Sequence, residues 1–298
     1  MDLRIMTFGI VFSLQTVLGI LGNFFLLFYY LMFYFKEHTL KKIDIILIHV
    51  FTSNVLIILS KGLPEIVRAF EWKQLFNDGG CKLTFYFQRL ARSMSICTTC
   101  FLSVFQAITI SPRNSCLKEY KTKTTQFMGL SISLCWILFI LVNMLFPMYT
   151  ATNRNKKNKT QKKDFEFCHF IGSDKLLGIM YTAFCVFPEV LFSLLIVCSS
   201  TFMIVILYGH KKRVQHILHN HASLRNSAEN RATQTILTLV CTFLAFYTLS
   251  SILQGYIALS DNPSWWVMNI TSIISLCFPM LGPFVMSHDY TFSRILFT

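Results

Sequence analysis

The chain has 298 residues, of which 54% are hydrophobic and only 14% charged, and its mean hydropathy is +0.53. Soluble domains carry about 25% charged residues, so this composition excludes an ordinary soluble domain. Ten cysteines are also too sparse for a secreted disulfide scaffold. The formal net charge of +13 would indicate a nucleic-acid partner in a soluble protein, but the hydropathy instead predicts a polytopic membrane protein.

Apolar stretches long enough to cross a bilayer as a helix, about 20 residues each, recur seven times. They lie at roughly 5–33, 43–66, 82–109, 126–148, 176–208, 234–260 and 265–286. None alternates like a barrel strand, and an open strand leaves its backbone unsatisfied in lipid. The sequence therefore predicts an all-α membrane protein, with residues 1–298 forming one seven-helix transmembrane domain. The first stretch is too long for a cleaved signal peptide, so we expect it to remain as the first helix.

Five prolines lie inside or near the predicted spans and are expected to kink helices. Pro188, Pro279 and Pro283 fall within spans. For Pro64 and Pro147 a simple helix end is an equally good interpretation, because proline disfavours helical backbone at the residue before it.

Basic residues alone do not orient the bundle. With the N-terminus outside, 13 lysines and arginines lie on the cytoplasmic side and 11 on the external side, too small a bias for the positive-inside rule to decide. The loop at 149–175 contains Cys168 and a sequon at Asn158, which is glycosylated only on the lumenal side. Cys81 lies on the same side, where an oxidising exterior would allow a disulfide with Cys168. We predict an external N-terminus, a cytoplasmic C-terminus and an unused second sequon at Asn269, within the seventh span.

Enzyme signatures are mostly absent from the sequence. It has no His-Glu-x-x-His, no Gly-x-Ser-x-Gly and no phosphate-binding glycine loop, so we expect neither enzyme activity nor a cofactor. Cys97 and Cys100 have redox or metal spacing, but their apolar surroundings favour packing. His216, His219 and His221 could form a zinc site, yet a solvated basic face near lipid headgroups is the better interpretation. We expect no metal.

Charged residues inside spans are costly in lipid and usually face the bundle interior. Arg89 and Arg92 lie roughly 12 and 16 Å from the outer end of the third span, and Glu189 lies in the fifth. These side chains are candidates for lining a ligand pocket, with a structural ion pair as the alternative. For Lys61 and Glu65, an i, i+4 pair near the outer end of the second span, an ion pair or snorkelling to the headgroups is favoured.

The distribution of the polar segments favours a receptor. About four residues precede the first span, so we expect no large external domain, and a small molecule entering between the helices from outside fits better. The segments after spans one, three and five carry a net charge of +9, which suits anionic lipid or an acidic partner. Because these loops account for much of the basic charge, we expect no nucleic-acid partner.

Residues 89–113, RLARSMSICTTCFLSVFQAITISPR, resemble the third-helix signature of vomeronasal type 1 receptors. The similarity extends over essentially the whole chain. Further positions that match that family are Gly22, Asn23, His49, Asn54, Cys81, Trp136, Asn158, Cys168, Pro283 and Phe284.

Departures from ordinary rhodopsin-like receptors fit the same family. LSVFQA at 102–107 occupies the place of the Asp-Arg-Tyr switch, and Asn54 that of the sodium-site aspartate. FPMLGP at 278–283 replaces Asn-Pro-x-x-Tyr, with Gly282 where we expect the family to have serine. The resemblance implies a rhodopsin-like seven-helix receptor and leaves its activation switch open.

The resemblance also implies a function. We expect a G-protein-coupled receptor that binds small pheromone or odorant molecules in the outer half of the bundle and activates a heterotrimeric G protein. Its expected location is the plasma membrane of vomeronasal sensory neurons. Arg89 and Arg92 belong to the family signature and so suit shared architecture or activation, whereas ligand choice is expected at Glu189, Gln254 and Tyr256. All five are candidate ligand-binding residues.

The basic residues expected to face the G protein are Arg113, Lys211, Lys212 and Arg213. Two alternatives compete with this function. A bitter taste receptor is similar in length and also lacks the usual switch motifs, but the run SVFQAIT argues against it. A seven-span transporter should have internal repeats and a discontinuous-helix ion site, and the sequence contains neither.

Overall fold

The computed structural model describes residues 3–37, 42–70, 78–111, 117–144, 150–152, 168–170, 175–217, 224–260 and 264–286. Its helices are α1 (Leu3–Glu37), α2 (Lys42–Ile57), α3 (Leu63–Ala69), α4 (Asp78–Ile110), α5 (Leu117–Asn143), α6 (Lys175–Ile217), α7 (Leu224–Leu259) and α8 (Trp265–Met286). A π-helical turn, Ile58–Gly62, joins α2 to α3.

The helices form the bundle that the hydropathy predicts. Six helical segments of the described chain are long and apolar enough to cross a membrane, with α2, the π-helical turn and α3 counted as one segment. The remaining apolar helix, Phe127–Asn143 within α5, is shorter. The prediction of an all-α fold with seven apolar helices is confirmed.

A small strand pair is an addition that the hydropathy did not predict. Strands β1 (Thr150–Thr152) and β2 (Cys168–Phe170) pair antiparallel, with Thr152 opposite Cys168. Strands of three residues are too short to show an alternating pattern in the sequence. Because β1 also contacts α4, the pair brings the backbone of this loop against the central helix.

The helices do not end where the apolar stretches end. α6 runs to Ile217 and α7 begins at Leu224, several residues beyond the lipid-compatible parts. Hydropathy marks the part of a helix that suits lipid, whereas helical hydrogen bonding continues into polar residues. α5 instead ends at Asn143, before the predicted end of the apolar stretch at 148, and Pro147 lies outside the described residues. Pro188 lies inside α6, and Pro279 and Pro283 lie inside α8.

Pro64 neither ends the second apolar segment nor leaves it a regular α-helix. α3 begins at Leu63 and carries the helix through the proline. Proline has no N–H to donate to the carbonyl of Ser60, and the π-helical turn occupies the five residues before Leu63. Such a turn inserts an extra residue and redirects the side chains in it. Lys61 is one of those side chains.

α4 is the central helix and contacts α2, α5, α6 and α7. Its Leu90, Met94 and Cys97 are buried in the largest hydrophobic cluster of the described residues, together with Cys100. This placement agrees with packing as the role of the two cysteines. α1 lies at the edge of the bundle and exposes large apolar side chains such as Phe25. Lipid tails are as apolar as these side chains, so the exposed surface suits a bilayer.

Small residues allow α1 to approach the π-helical turn closely. A Cβ added to Gly62 would collide with the hydroxyl of Thr16. A Cβ added to Gly19 would lie 2.7 Å from Cδ1 of Ile58. Close backbone approach at small residues is typical of membrane helix packing, and here it fixes the turn that carries Lys61.

Candidate functional site

A cavity lies between the π-helical turn, α4, α7 and α8, at the N-terminal half of α4; we call it the central cavity. Phe243, Phe246 and Phe278 form much of its apolar wall. Its polar lining includes Lys61, Gln88, Arg92, Ser250, Gln254 and Ser275. An apolar pocket with a few converging polar groups is the usual form of a small-molecule site.

Arg92 is the polar centre of the cavity and connects three helices. Its Nη2 donates to Ser251 Oγ at 2.6 Å, and its Nη1 to Ser250 Oγ at 3.4 Å, both on α7. Its guanidinium carbon lies 4.3 Å from the ring centroid of Tyr247, a cation–π distance. On α6, Glu189 Oε1 lies 3.7 Å from Arg92 Nε. Arg92 therefore ties α4 to both α6 and α7.

Lys61 enters the same cavity from the π-helical turn. Its Nζ donates to Ser275 Oγ on α8 at 3.0 Å, and Ser275 and Ser250 share a hydrogen bond of 2.8 Å. Gln254 Nε2 donates to Ser250 Oγ at 3.0 Å. Because Ser250 also accepts from Arg92, a continuous chain of hydrogen bonds joins the two cationic side chains across the cavity.

Lys61 was expected to form an ion pair with Glu65 or to snorkel to the headgroups. In the described structure the two residues have other partners. Glu65 forms a salt bridge with Arg68 and accepts a hydrogen bond of 2.6 Å from Ser272 Oγ. Lys61 instead donates to Ser275. The extra residue of the π-helical turn removes the regular i, i+4 relationship on which the expectation was based.

The structure brings together three of the five candidate ligand-binding residues. Arg92 and Gln254 line the central cavity, and Glu189 reaches Arg92 from α6. Arg89 is half-buried on α4 and is not among the lining residues. Tyr256 is 55% exposed near the end of α7.

Sequence reasoning missed several groups that the fold adds to the cavity. Tyr247, Ser250 and Ser275 resemble ordinary packing residues in an apolar span, and nothing in their spacing marks them. Lys61 did carry a signal, because a charge within a span is costly. Its position in the cavity depends on the π-helical turn, which the sequence did not indicate.

Three further hydrogen bonds involve positions that the resemblance selected. Trp136 Nε1 on α5 donates to His49 Nδ1 on α2 at 3.3 Å. Asn23 Nδ2 on α1 donates to the Pro279 carbonyl at 2.8 Å, and Asn54 Nδ2 donates to Asn23 Oδ1 at 3.3 Å. These bonds tie α2 to α5, α1 to α8 and α2 to α1, which indicates that the positions maintain the architecture.

Several predicted site residues lie outside the part of the chain whose side chains the structure describes. Arg113 and Asn158 are outside the described residues altogether. The backbones of Cys81, Cys168 and Lys211 to Arg213 lie in α4, β2 and α6, but their side chains are not described. Among the residues that are described, no cluster of three or more His, Cys, Asp or Glu side chains could hold a metal ion.

Known proteins resemble the chain over nearly its whole length. The family model described as the vomeronasal organ pheromone receptor family matches residues 6–298. Vomeronasal type-1 receptor 2 of Homo sapiens is 44% identical over 282 residues, which cover 94% of this chain and 71% of that one.

Two further relatives extend the range of the similarity. Vomeronasal type-1 receptor 4 of Homo sapiens is 43% identical over 295 residues, covering 99% of this chain and 98% of that receptor. Olfactory receptor class A-like protein 1 of Danio rerio is 29% identical over 286 residues, 96% of this chain and 90% of that protein. With the family model matching almost every residue, this multi-pass membrane protein belongs to the vomeronasal type 1 family of pheromone receptors, which are G-protein-coupled receptors with seven transmembrane helices.

Proposed function

We propose that this receptor binds a small pheromone or odorant molecule in the central cavity and activates a heterotrimeric G protein. The observation that carries the proposal is the position of Arg92, which lines the cavity and also contacts α6 and α7. A molecule in the cavity can therefore compete with the contacts that hold these helices together.

Activation follows from a shift between two populations of the bundle. A ligand that binds the active form more tightly than the inactive form raises the fraction of the active form. The ratio of the two affinities sets how far the equilibrium can shift. In the inactive form Arg92 holds Glu189 on α6 and Ser251 on α7. When the ligand takes over part of these interactions, α6 and α7 move relative to α4. Their far ends, with Lys211 to Arg213 on α6, then open to the G protein.

The orientation that this mechanism requires has the N-terminus outside and the C-terminus in the cytoplasm. The central cavity then lies in the outer half of the bundle, and the segment from 209 to 233 faces the G protein. A disulfide between Cys81 and Cys168 would fasten the strand pair to α4, in agreement with the contact between β1 and α4. We place the protein in the plasma membrane of vomeronasal sensory neurons, with a glycan on Asn158.

The test is ligand-evoked signalling in cells that express the full chain with candidate G proteins. A panel of small urinary volatiles and steroids is screened first, and an active compound is then tested on Glu189→Ala. We expect basal signalling to rise and the half-maximal concentration to fall several-fold, because the contact between Glu189 and Arg92 that holds the inactive form is lost and the ligand no longer competes with it. Val190→Ala is the matched control, since Val190 is the neighbouring residue on α6 and is exposed.

Two results would contradict the proposal. An unchanged response of Glu189→Ala would remove Glu189 from the site. Substrate flux through the chain without any G-protein response would identify a transporter instead.

A further inference from the structure

The central cavity carries more positive than negative charge. Lys61 and Arg92 line it, and none of the described lining residues is acidic. Glu189 is close to Arg92, at 3.7 Å, which is longer than a charge-assisted hydrogen bond. The other carboxylate in this region, Glu65, is held by Arg68 and Ser272. One positive charge at the cavity is therefore left without a matching carboxylate among the described residues.

The hydrogen bonds of the two cations do not neutralise them. Lys61 donates to the hydroxyl of Ser275, and Arg92 donates to the hydroxyls of Ser250 and Ser251. A serine hydroxyl satisfies a donor but carries no net charge. Buried charge is costly unless it is paired, so this cavity favours a ligand that supplies the missing negative charge.

A further polar group is available to such a ligand. Ser95 lines the cavity one helical turn from Arg92, is only 2% exposed, and its hydroxyl has no hydrogen-bond partner among the described residues. A buried hydroxyl without a partner is uncommon and requires an explanation. An oxygen-bearing group between Lys61 and Arg92 would give it one.

The remaining wall of the cavity determines the other half of the ligand. Phe243, Phe246 and Phe278 lie beside the polar groups, with Ile57 and Ile274. Aromatic and aliphatic surfaces of this kind bury an apolar body. The cavity thus combines a cationic polar part with an apolar part.

We propose that the ligand of the central cavity is an amphipathic monoanion, with one anionic oxygen group bound between Lys61 and Arg92 and an apolar body against the three phenylalanines. This inference rests on the proposed function, because it names the ligand class of the same site. A carboxylate and a sulfate ester share the required chemistry, and the experiment separates them.

Binding is measured on the purified full-length receptor in lipid nanodiscs, as the ligand-induced rise in melting temperature. The four probes each contain eight carbon atoms and differ in the head group: octanoate, octyl sulfate, octanol and octylamine. We expect octanoate, octyl sulfate or both to stabilise the receptor, and octanol and octylamine to have little effect. The anion that binds more tightly identifies the head group.

Four variants locate the interaction. Lys61→Met and Arg92→Gln should weaken binding of the anion about ten- to hundredfold, because hydrogen bonds between charged groups are lost. Lys61→Arg keeps the charge and should retain binding, which separates loss of charge from misfolding. Lys36→Met is the matched control, because Lys36 is an exposed lysine in the last turn of α1 and does not line the central cavity. It also reports any effect of anions on the lipid itself.

The possible results distinguish failure of this inference from failure of the proposed receptor function. Equal stabilisation by octanol and octanoate, or unchanged anion binding by both Lys61→Met and Arg92→Gln, would overturn the inference. If the anions bind as expected but evoke no G-protein signal, the inference holds and the proposed receptor function fails. If only uncharged compounds evoke a signal and no anion binds, the receptor function holds and the inference fails.

Discussion

Single residues in this receptor act through the helices that they connect. Arg92 contacts α6 and α7 from α4, and Lys61 contacts α8 from the π-helical turn. Both are cations placed where lipid would make them costly, and the surrounding hydroxyls and aromatic ring reduce that cost. The position of Lys61 in turn depends on a glycine, since the π-helical turn ends at Gly62 against Thr16.

Substituting Gly62 tests this close approach. We expect Gly62→Ala to destabilise the receptor by about 1–3 kcal/mol, the usual cost of overpacking, because the new Cβ would meet the Thr16 hydroxyl. The measurement is the melting temperature of the purified protein. Gly129→Ala is the control, since nothing lies within 4 Å of a Cβ added at that helical position. It should be neutral or slightly stabilising.

A second substitution makes the test specific to the contact. Thr16→Ala in the Gly62→Ala background removes the colliding hydroxyl and should recover most of the lost stability. A loss that persists in the double variant would show that the space around Gly62 is not limited by Thr16.

At the scale of elements, the contact between α7 and α8 combines packing with the hydrogen-bond chain of the cavity. Phe243 on α7 packs edge-on against Phe278 on α8, with ring centroids 4.7 Å apart. Ser275 joins the two helices to Lys61. Hydrogen bonds between membrane helices contribute about 0.6 kcal/mol on average, so a serine with two such partners has a measurable effect.

Ser275→Ala is expected to lower stability by about 1–2 kcal/mol, because it removes the acceptor of a cationic donor and the partner of Ser250. Thermal unfolding of the purified receptor measures the change. The matched control is Thr248→Ala, since that exposed hydroxyl bonds only to carbonyls of its own helix in the described structure. Equal effects of the two substitutions would contradict a bridging role for Ser275.

At the scale of the whole molecule, one orientation in the membrane places the central cavity outside and the basic ends of α6 and α7 inside. Of the two sequons, Asn158 reports on that orientation, whereas Asn269 does not. Asn269 is only 2% exposed within α8; its Nδ2 donates to the Trp265 carbonyl and its Oδ1 accepts from Arg68. It is therefore closed to a glycosylating enzyme, whichever side its helix end faces.

We expect the receptor expressed in cells to carry a glycan on Asn158 and none on Asn269. Treatment with an endoglycosidase should increase the gel mobility of the wild type and of Asn269→Gln, but not of Asn158→Gln. Thr160→Ala removes the same sequon without changing Asn158 and should match Asn158→Gln. A glycosidase-sensitive Asn158→Gln protein would contradict this assignment.

The basic end of α6 provides a second test at this scale. Replacing Lys211, Lys212 and Arg213 with glutamine should lower the maximal G-protein response several-fold, because an acidic partner loses its electrostatic complement. Ligand binding, measured separately on the purified protein, should be unchanged. Lys36 is a basic residue on the same predicted cytoplasmic side, and the control variant Lys36→Gln should retain the response. Loss of ligand binding in the triple variant would instead show that these residues are needed for α6 to fold.

The candidate site could be predicted in part from the sequence. The cost of charge in lipid selected Arg92, Glu189 and also Lys61 as unusual residues, and the structure brings Arg92 and Glu189 within 3.7 Å. The partner expected for Lys61 was wrong, because Pro64 is accompanied by a π-helical turn that alters the helix register. Serines such as Ser250 and Ser275 carry no comparable signal, since a hydroxyl in a span satisfies itself on its own helix.

The sequence by itself determined that this is a membrane protein, how many apolar helices it has and which family it belongs to. The local composition of each segment is enough to decide whether that segment suits lipid or water. Only the tertiary structure decided which polar side chains share a cavity, where the register changes before Pro64, and that α4 lies at the centre. These features depend on contacts between residues far apart in the chain, such as Lys61 with Ser275 and Arg92 with Ser251. Hydropathy is a property of one segment, whereas a binding site is a property of several segments packed together.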